Sequence, residues 1–270
     1  MRLAPVLLGL LALAAGPVAA APARVVSMNL CADQLAMLLA APGQLVSVSY
    51  LARDPHSSAM AAEAAAYPVN HGLAEEIFLL DPDLVLAGDF THQPAVAMLR
   101  RLGVPVLVLA PASSLAEARA QILALGAALG REDRAAELIA EIDAGLAAAA
   151  APPDDAPPRA AILGASGYAS GPASLPGDVL AAAGFANILD PASMGGRLSL
   201  ETLLMARPDL IVLPEPYPGW SRAEEFPRHP ALLDSGAATL TLPDQNWVCG
   251  TPALLGNLAA IGAARREVAP

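Results

Sequence analysis

Short apolar runs, separated by turn residues and amphipathic helices, recur along the chain and predict an α/β fold. Seven of them have the length and continuous hydrophobicity of buried strands. They lie near 24–28, 45–49, 83–87, 105–109, 159–163, 209–213 and 238–242. Strands that alternate with helices in this way form parallel, doubly wound sheets, and such sheets bind ligands at the carboxyl ends of their strands.

Two helical patterns precede a turn-rich break in the chain. The capping box Ser114–Glu117 begins the first helix and Gly130 ends it. A second apolar stripe follows and includes Leu138, Ile142 and other positions at helical spacing. The break itself, residues 149–158, holds two Pro pairs and two Asp and cannot lie inside a helix or a strand.

The segments on either side of the break resemble each other. Glu75–Leu86 aligns with Glu201–Val212 at an offset of 126, and both contain Pro-Asp-Leu. Residues 24–28 match 159–163, and 102–109 match 235–242, at offsets of 135 and 133. Coincidence among Ala- and Leu-rich segments is the alternative, but the order of the matches favours a repeat. The repeat predicts two lobes of one design that face each other across a cleft.

The N-terminus has the pattern of a cleavable export signal. Met1-Arg2 gives a positive start, residues 3–15 are apolar, and Val18-Ala19-Ala20 supplies the small residues that signal peptidase requires. We therefore predict a signal peptide over residues 1–20 and a soluble mature protein in the periplasm. An uncleaved anchor is the alternative, but the apolar segment is too short to span a bilayer.

Composition narrows the function classes. Hydrophobic residues make up 55% of the chain and the mean hydropathy is +0.49, yet after the N-terminus no stretch combines the length and composition of a spanning helix. The net charge is −11 and all 15 basic residues are Arg. This balance argues against nucleic acid and against an anionic membrane surface as partners. The absence of Lys also excludes Schiff-base, P-loop and Ser-x-x-Lys chemistry.

Aromatic residues are concentrated after the predicted strands. Six of them follow strands directly: Tyr50, Phe90, Tyr168, Tyr217, Trp220 and Trp247. Ordinary packing at the sheet ends is the alternative for any one of them, but the group favours a large, flat or ring-bearing ligand. The loops of the first lobe add polar groups, of which Arg53 and Asp89 are candidate ligand contacts, and His92 is the best placed histidine.

Candidate catalytic and metal motifs are incomplete. The four His lack metal-ligand spacing, so we expect no buried transition-metal site built by them. Gly164–Tyr168 lacks the second Gly of a nucleophile elbow. Cys31 begins a helix, where a thiolate is stabilised, but an exported protein with two Cys more often oxidises them than uses one in catalysis.

The chain resembles a class III periplasmic solute-binding protein of an ABC importer, from the group that binds cobalamin and ferric siderophores. The resemblance covers residues 24–270. Its motifs are Arg24–Asn29, Glu75 with Asp81–Val85, Leu102–Val106, Glu201 with Arg207–Ile211, and Asn246-Trp247. It implies two Rossmann-like lobes, 24–130 and 159–270, joined by a long helix over 131–150, with the ligand held in the cleft.

The resemblance also implies roles for particular residues. Glu75 and Glu201 would dock on Arg residues of an inner-membrane ABC permease, although a solvated helix face is the usual fate of a lone Glu. Trp247 would contact a small-molecule metal chelate together with aromatic residues of the loops. We expect a monomer that carries no cofactor of its own and has no enzyme activity.

Cys31 and Cys249 depart from the general pattern of this family. We expect them to meet across the cleft and form a disulfide, while free thiols that bind the metal of the cargo are the alternative. The runner-up function is therefore a haem or metal-chelate carrier with a Cys or His ligand. An exported chelatase-like enzyme on the same fold is a further alternative, but the sequence shows no acid–base cluster.

Overall fold

The computed structural model describes residues 20–150, 152, 154–216 and 221–268. Residues 1–19 of the predicted signal peptide lie outside this range. Among the described residues, no helix combines the length and the apolar character that crossing a membrane requires.

The first lobe is built on a five-stranded parallel sheet in the order β3-β2-β1-β4-β5. Its strands are β1 Val25–Ser27, β2 Leu45–Ser49, β3 Val69–Asn70, β4 Leu84–Gly88 and β5 Val106–Leu109. Its helices are α1 Leu30–Leu39, α2 Ala61–Ala64, α3 Ala74–Phe78, α4 Gln93–Arg101 and α5 Leu115–Leu129. As predicted, Ser114 caps α5 by accepting from the Glu117 backbone N–H, and Gly130 ends it at φ 65°.

The second lobe has a mixed sheet in the order β11-β10-β6-β7-β9, with β8 also beside β6. Its strands are β6 Arg159–Leu163, β7 Tyr168–Ser170, β8 Ala186–Asn187, β9 Gly195–Arg197, β10 Leu210–Pro214 and β11 Ala238–Leu242. Its helices are α7 Leu175–Ala182, α8 Leu200–Ala206, α9 Pro230–Leu233, α10 Gln245–Val248 and α11 Leu254–Val268.

The two-lobed α/β fold is confirmed, but one part of the second sheet differs from the parallel pattern. β7 runs antiparallel to both β6 and β9. A tight turn reverses the chain after β6, because Ser166 and Gly167 both adopt positive φ, 56° and 74°. The Gly164 N–H donates to the carbonyl of Tyr168 at 2.7 Å, and this bond closes the turn.

A long helix, α6 Glu132–Ala149, lies between the two sheets in the chain and packs on both cores. Leu138 and Ile142 are buried in the first lobe, and Leu146 contacts both cores. Gly145 lies so close to Leu255 of α11 that a side chain at this position would clash. This helix occupies the region that the resemblance assigned to the connection between lobes.

Candidate ligand-binding cleft

A disulfide joins the two lobes at the carboxyl edges of their sheets. Cys31 lies in the first turn of α1, directly after β1, and Cys249 follows α10, which comes after β11. The two residues are bonded, with their Cα atoms 5.2 Å apart across a sequence separation of 218. The carboxyl edges of the two sheets therefore face each other, and both sulfur atoms are occupied by the bond.

The helix start that carries Cys31 is fixed by buried polar contacts. Asn29 caps α1 by accepting from the backbone N–H groups of Cys31 and Ala32. Asp33 is fully buried, and its carboxylate accepts from the Ser49 backbone N–H at 3.0 Å and from the Ser49 hydroxyl. Burial raises the pKa of Asp33 to about 6, and hydrogen bonds from Ser27 and Ser49 offset part of that rise.

Two rings stack at the carboxyl edge of the first lobe. Tyr50 follows β2 and His71 follows β3, and their ring centroids are 5.6 Å apart with planes 20° from parallel. Tyr50 is 52% exposed, and Phe90, after β4, is 89% exposed. An aromatic ring that is left this open to water on a carboxyl edge is available to stack on a ligand.

Arg53 and Asp89, the polar candidates in these loops, differ in whether the side chain is hydrogen-bonded to the protein. The Arg53 guanidinium donates to the backbone carbonyls of Ala64 and Ala65, each at 3.3 Å, and to that of Tyr67. These bonds tie its guanidinium to the chain after α2, so the structure gives Arg53 a loop-bracing role that the sequence did not predict. Asp89 is exposed beside Phe90 and has no such tie to its carboxylate among the described contacts.

A cavity of about 330 Å³ lies at the carboxyl edge of the second lobe. Residues after β5 form one wall, and the ends of β6, β7 and α10 form the others. Its lining includes Ser113, Leu163, Tyr168, Met194, Asp244 and Trp247. The cavity thus brings residues of both lobes to one surface, as a cleft between facing sheets requires.

Trp247 differs from the rim residue that the sequence suggested. It lies in α10 and not in a loop, it is only 3% exposed, and it packs in the core of the second lobe while one part of it lines the cavity. Its neighbour Val248 is 53% exposed, and Tyr168 is 46% exposed. Tyr217 and Trp220 lie outside the described residues.

A larger cavity of about 580 Å³ is at the other end of the second lobe. It is lined by Arg207, Asp209, Ala237 and other residues around the amino ends of β10 and β11. Ligands of open α/β sheets bind at the carboxyl ends of the strands, so this cavity is not the candidate site.

The predicted docking residues are exposed and occupy equivalent places. Glu75 lies in the first turn of α3, and Glu201 lies in the first turn of α8. Hydrogen bonds from its own backbone N–H and from the Ser199 hydroxyl hold the pKa of Glu201 below its usual value. Glu201 therefore carries a negative charge at neutral pH.

Comparison with known proteins identifies the family. A family model described as "Periplasmic binding protein" matches residues 25–213. The chain belongs to the periplasmic binding protein family. Solved structures of similar fold include haem-binding and vitamin B12 binding proteins and a protein of an Fe³⁺-hydroxamate transport system.

Individual relatives of this periplasmic binding protein are named for different ligands. A cobalamin-binding protein of Halobacterium salinarum is 30% identical over 71% of the chain, and the match spans 53% of that relative, so the chain covers about half its length. The periplasmic heme-binding protein RhuT of Roseiflexus sp. RS-1 has a TM-score of 0.71 at 24% identity, over 90% of this chain and 98% of that one. The vitamin B12 binding protein BtuF of Vibrio cholerae has a TM-score of 0.65 at 19% identity, over 92% and 98%. At these identities the two structures show the shared fold.

Proposed function

We propose that this periplasmic binding protein captures a corrinoid or a ferric-siderophore-type iron chelate and delivers it to an ABC permease of the inner membrane. The observation that carries the proposal is the pair of facing carboxyl edges, joined by the disulfide and bearing exposed rings on one side and an apolar cavity on the other. The cobalamin-binding relative supports a corrinoid as the cargo.

The delivery step rests on the two equivalent carboxylates. Glu75 and Glu201 are exposed, one on each lobe, at positions related by the internal repeat. Charged groups of this kind set the encounter rate and the orientation of a complex. We propose that they meet Arg residues of the permease, and that the protein acts as a monomer in the periplasm.

The cargo can be identified directly. Protein purified from its own periplasm should carry the ligand, and native mass spectrometry with the visible spectrum separates a corrin from a ferric chelate. Titration of the emptied protein with aquacobalamin and with ferrichrome then gives the affinities. Submicromolar binding of one of them, and its recovery unchanged in mass, supports a carrier. Turnover of the bound compound, or no binding of either class, contradicts the proposal.

A haem or other metal-chelate carrier is the second candidate. A carrier that binds the metal through a cysteine thiolate is disfavoured, because the sulfur atoms of Cys31 and Cys249 are bonded to each other. A histidine version is favoured by a contact between His71 and Glu76.

A further inference from the structure

His71 is held by one carboxylate at two points. Its backbone N–H donates to Glu76 Oε2 at 2.8 Å, and its ring Nδ1 lies 3.4 Å from Glu76 Oε1. Tyr50 stacks on the same ring. The imidazole is therefore oriented by Glu76 and covered on one face by Tyr50, although the side chain as a whole stays 64% exposed.

An imidazole held by a carboxylate in this way is typical of histidines that bind a metal. A metal-ligating His usually donates one ring N–H to a carboxylate, and this contact fixes the tautomer and makes the other nitrogen more basic. In the tautomer whose Nδ1–H donates to Glu76 Oε1, Nε2 is the nitrogen that presents its lone pair. Because His71 follows β3, it lies on the carboxyl edge that faces the cleft.

Two other histidines, His92 and His229, have different surroundings. His229 caps α9, its Nδ1 accepting from the Ala231 backbone N–H. His92 precedes α4, is exposed and makes no side-chain cap bond. His92 therefore provides a matched control at the same edge of the same sheet.

We propose that Nε2 of His71 is an axial ligand to the metal of the cargo, with Glu76 as a positioning residue. This inference rests on the proposed carrier function and selects among its cargoes. In the binding step, the Nε2 lone pair replaces a water molecule on the metal, the water leaves, and no oxidation state changes. The cargo class is then a metal complex with an exchangeable axial site, as in a planar tetrapyrrole, and not a ferric siderophore whose chelating oxygens fill the coordination sphere.

Visible spectroscopy with hemin and with aquacobalamin tests the assignment. Wild type should show the spectrum of imidazole ligation with at least one of them. His71→Ala should lose that spectrum and about tenfold or more in affinity, and added imidazole should restore the spectrum. Glu76→Gln should weaken binding about 10–100-fold, the range typical of such supporting carboxylates, while keeping the ligated spectrum at saturation. His92→Ala should match wild type in spectrum and affinity. His71→Gln is a second variant without the imidazole, and an unchanged circular dichroism spectrum of it would show that lost ligation does not come from misfolding.

The outcomes separate this inference from the proposed function. An unchanged spectrum and affinity in His71→Ala overturns the ligand role. Tight binding of ferrichrome, with neither tetrapyrrole bound, also overturns it but leaves a siderophore carrier in place. Failure of all three probes contradicts both.

A second feature, independent of the cleft, concerns the two docking helices, α3 and α8, which carry Glu75 and Glu201. Leu79 and Met205 are each 82% exposed. They lie 126 positions apart, four residues after Glu75 and Glu201. The Leu79 N–H donates to the Glu75 carbonyl at 3.1 Å, so the acidic and the apolar residue share one helical face.

Single exposed apolar side chains are common and need no explanation. The repetition of the same pair at equivalent positions of both lobes does need one. We infer that each lobe docks through a carboxylate and an adjacent aliphatic side chain, and that the permease offers two equivalent surfaces to receive them. This inference rests on the proposed delivery function, and the repeat within the chain is what points to a partner with two matching halves.

The double variant Leu79→Ser/Met205→Ser tests the second inference. Uptake into vesicles that contain the permease should need about tenfold more binding protein, with the affinity for cargo unchanged. Leu123→Ser/Leu233→Ser is the matched control, because these leucines are 52% and 53% exposed but lie outside the repeat. Normal uptake by the first variant, or an equal defect in the control, overturns the inference. If a Glu75/Glu201 variant is defective while the first variant is normal, docking stands without the apolar contact.

Discussion

Asp81 and Arg207, 126 positions apart, both adopt the left-handed backbone, with φ of 50° and 47°. Each lies between a docking helix and a Pro-Asp pair that leads into β4 or β10. Residues other than Gly visit this region at a cost of roughly 1–2 kcal/mol, so a position held there depends on its surroundings. The repeat seen in the sequence is thus the same strained loop in both lobes.

The contacts that hold this loop are also repeated. The Asp83 carboxylate accepts from the Arg24 backbone N–H at 2.9 Å, and the Asp209 carboxylate accepts from that of Arg159 at 2.7 Å. The guanidinium groups of Arg24 and Arg159 also donate to backbone carbonyls at the end of the docking helix before each loop. The acceptors are the carbonyls of Leu80 and Ala206. The same bonds therefore connect the first strand of each lobe to the loop before its Pro-Asp strand.

Removing either carboxylate should destabilise its lobe. Asp83→Ala leaves the Ala23 and Arg24 backbone N–H groups without their acceptor, and Asp209→Ala leaves that of Arg159 without its own. We expect each variant to lose about 1–2 kcal/mol in the free energy of unfolding. Urea unfolding followed by circular dichroism measures it. Asp155→Ala, in the exposed break between lobes, is the control and should change little. Stability of the two variants equal to that of the control would show that the loop is held by other contacts.

Asp33 should make stability depend on pH in an unusual direction. Its pKa of about 6, raised from 3.8 by burial, means that the folded protein keeps this proton at a pH where the unfolded chain has lost it. The contribution of Asp33 to the free energy of unfolding therefore falls as the pH rises from about 4 to about 6, by on the order of 3 kcal/mol.

Asp33→Asn removes this titration while keeping an acceptor for the Ser49 N–H. Urea unfolding of wild type and variant between pH 4 and pH 7 should show the variant gaining stability relative to wild type as the pH rises. Subtracting the two curves cancels the other carboxylates. A difference that is constant with pH would contradict the assignment.

Substitutions of Trp247 and of Phe90 should distinguish a packing role from a ligand-contact role. Because Trp247 is buried in the second lobe, Trp247→Ala should cost about 3–5 kcal/mol of stability. Phe90→Ala should leave stability unchanged and weaken cargo binding about tenfold. Thermal unfolding and titration with aquacobalamin measure the two effects. Phe78→Ala, at a half-exposed ring of α3, is the control for Phe90. Equal affinities of the Phe90 and Phe78 variants would remove Phe90 from the site.

The parts of this fold that the sequence predicted are those with long, continuous signals. Strands of a parallel sheet are buried on both faces, so each of the seven appeared in the sequence as a continuous apolar run. The ordered matches of the internal repeat predicted the two lobes. β3, with two residues, has no periodicity to detect, and so the pair His71 and Glu76 that follows it was missed. The turn at Ser166 and the short helix around Trp247 also depend on tertiary contacts, which no local pattern contains.

Docking should depend on both repeated carboxylates. Glu75→Gln/Glu201→Gln should abolish uptake into permease vesicles without changing the affinity for cargo, because charge at a rim sets encounter and orientation. Each single variant should show a partial defect. Glu63→Gln/Glu137→Gln, exposed Glu residues outside the repeat, is the control. Normal uptake by the first double variant would refute the docking assignment.

Several contacts tie the lobes together near the cleft. Besides the disulfide, the Leu115 N–H at the start of α5 donates to the Asp178 carboxylate of α7 at 2.8 Å. Gly250, next to Cys249, lies against Ala118 of α5 too closely for a side chain. Together with α6, these contacts leave little freedom for one lobe to rotate against the other.

Binding should therefore close the cleft only slightly, and the disulfide should be one cause. Small-angle scattering of wild type with and without aquacobalamin should show nearly equal radii of gyration, since a helical connection without hinge strands resists large rotation. Cys31→Ser/Cys249→Ser removes the covalent tie, and the chain-entropy model assigns about 5 kcal/mol of stability to a loop of this length. We expect that variant to unfold at lower urea and to have a larger radius without ligand that shrinks on binding. A large decrease in wild type, or identical behaviour of the variant, would show that the disulfide does not restrain the lobes.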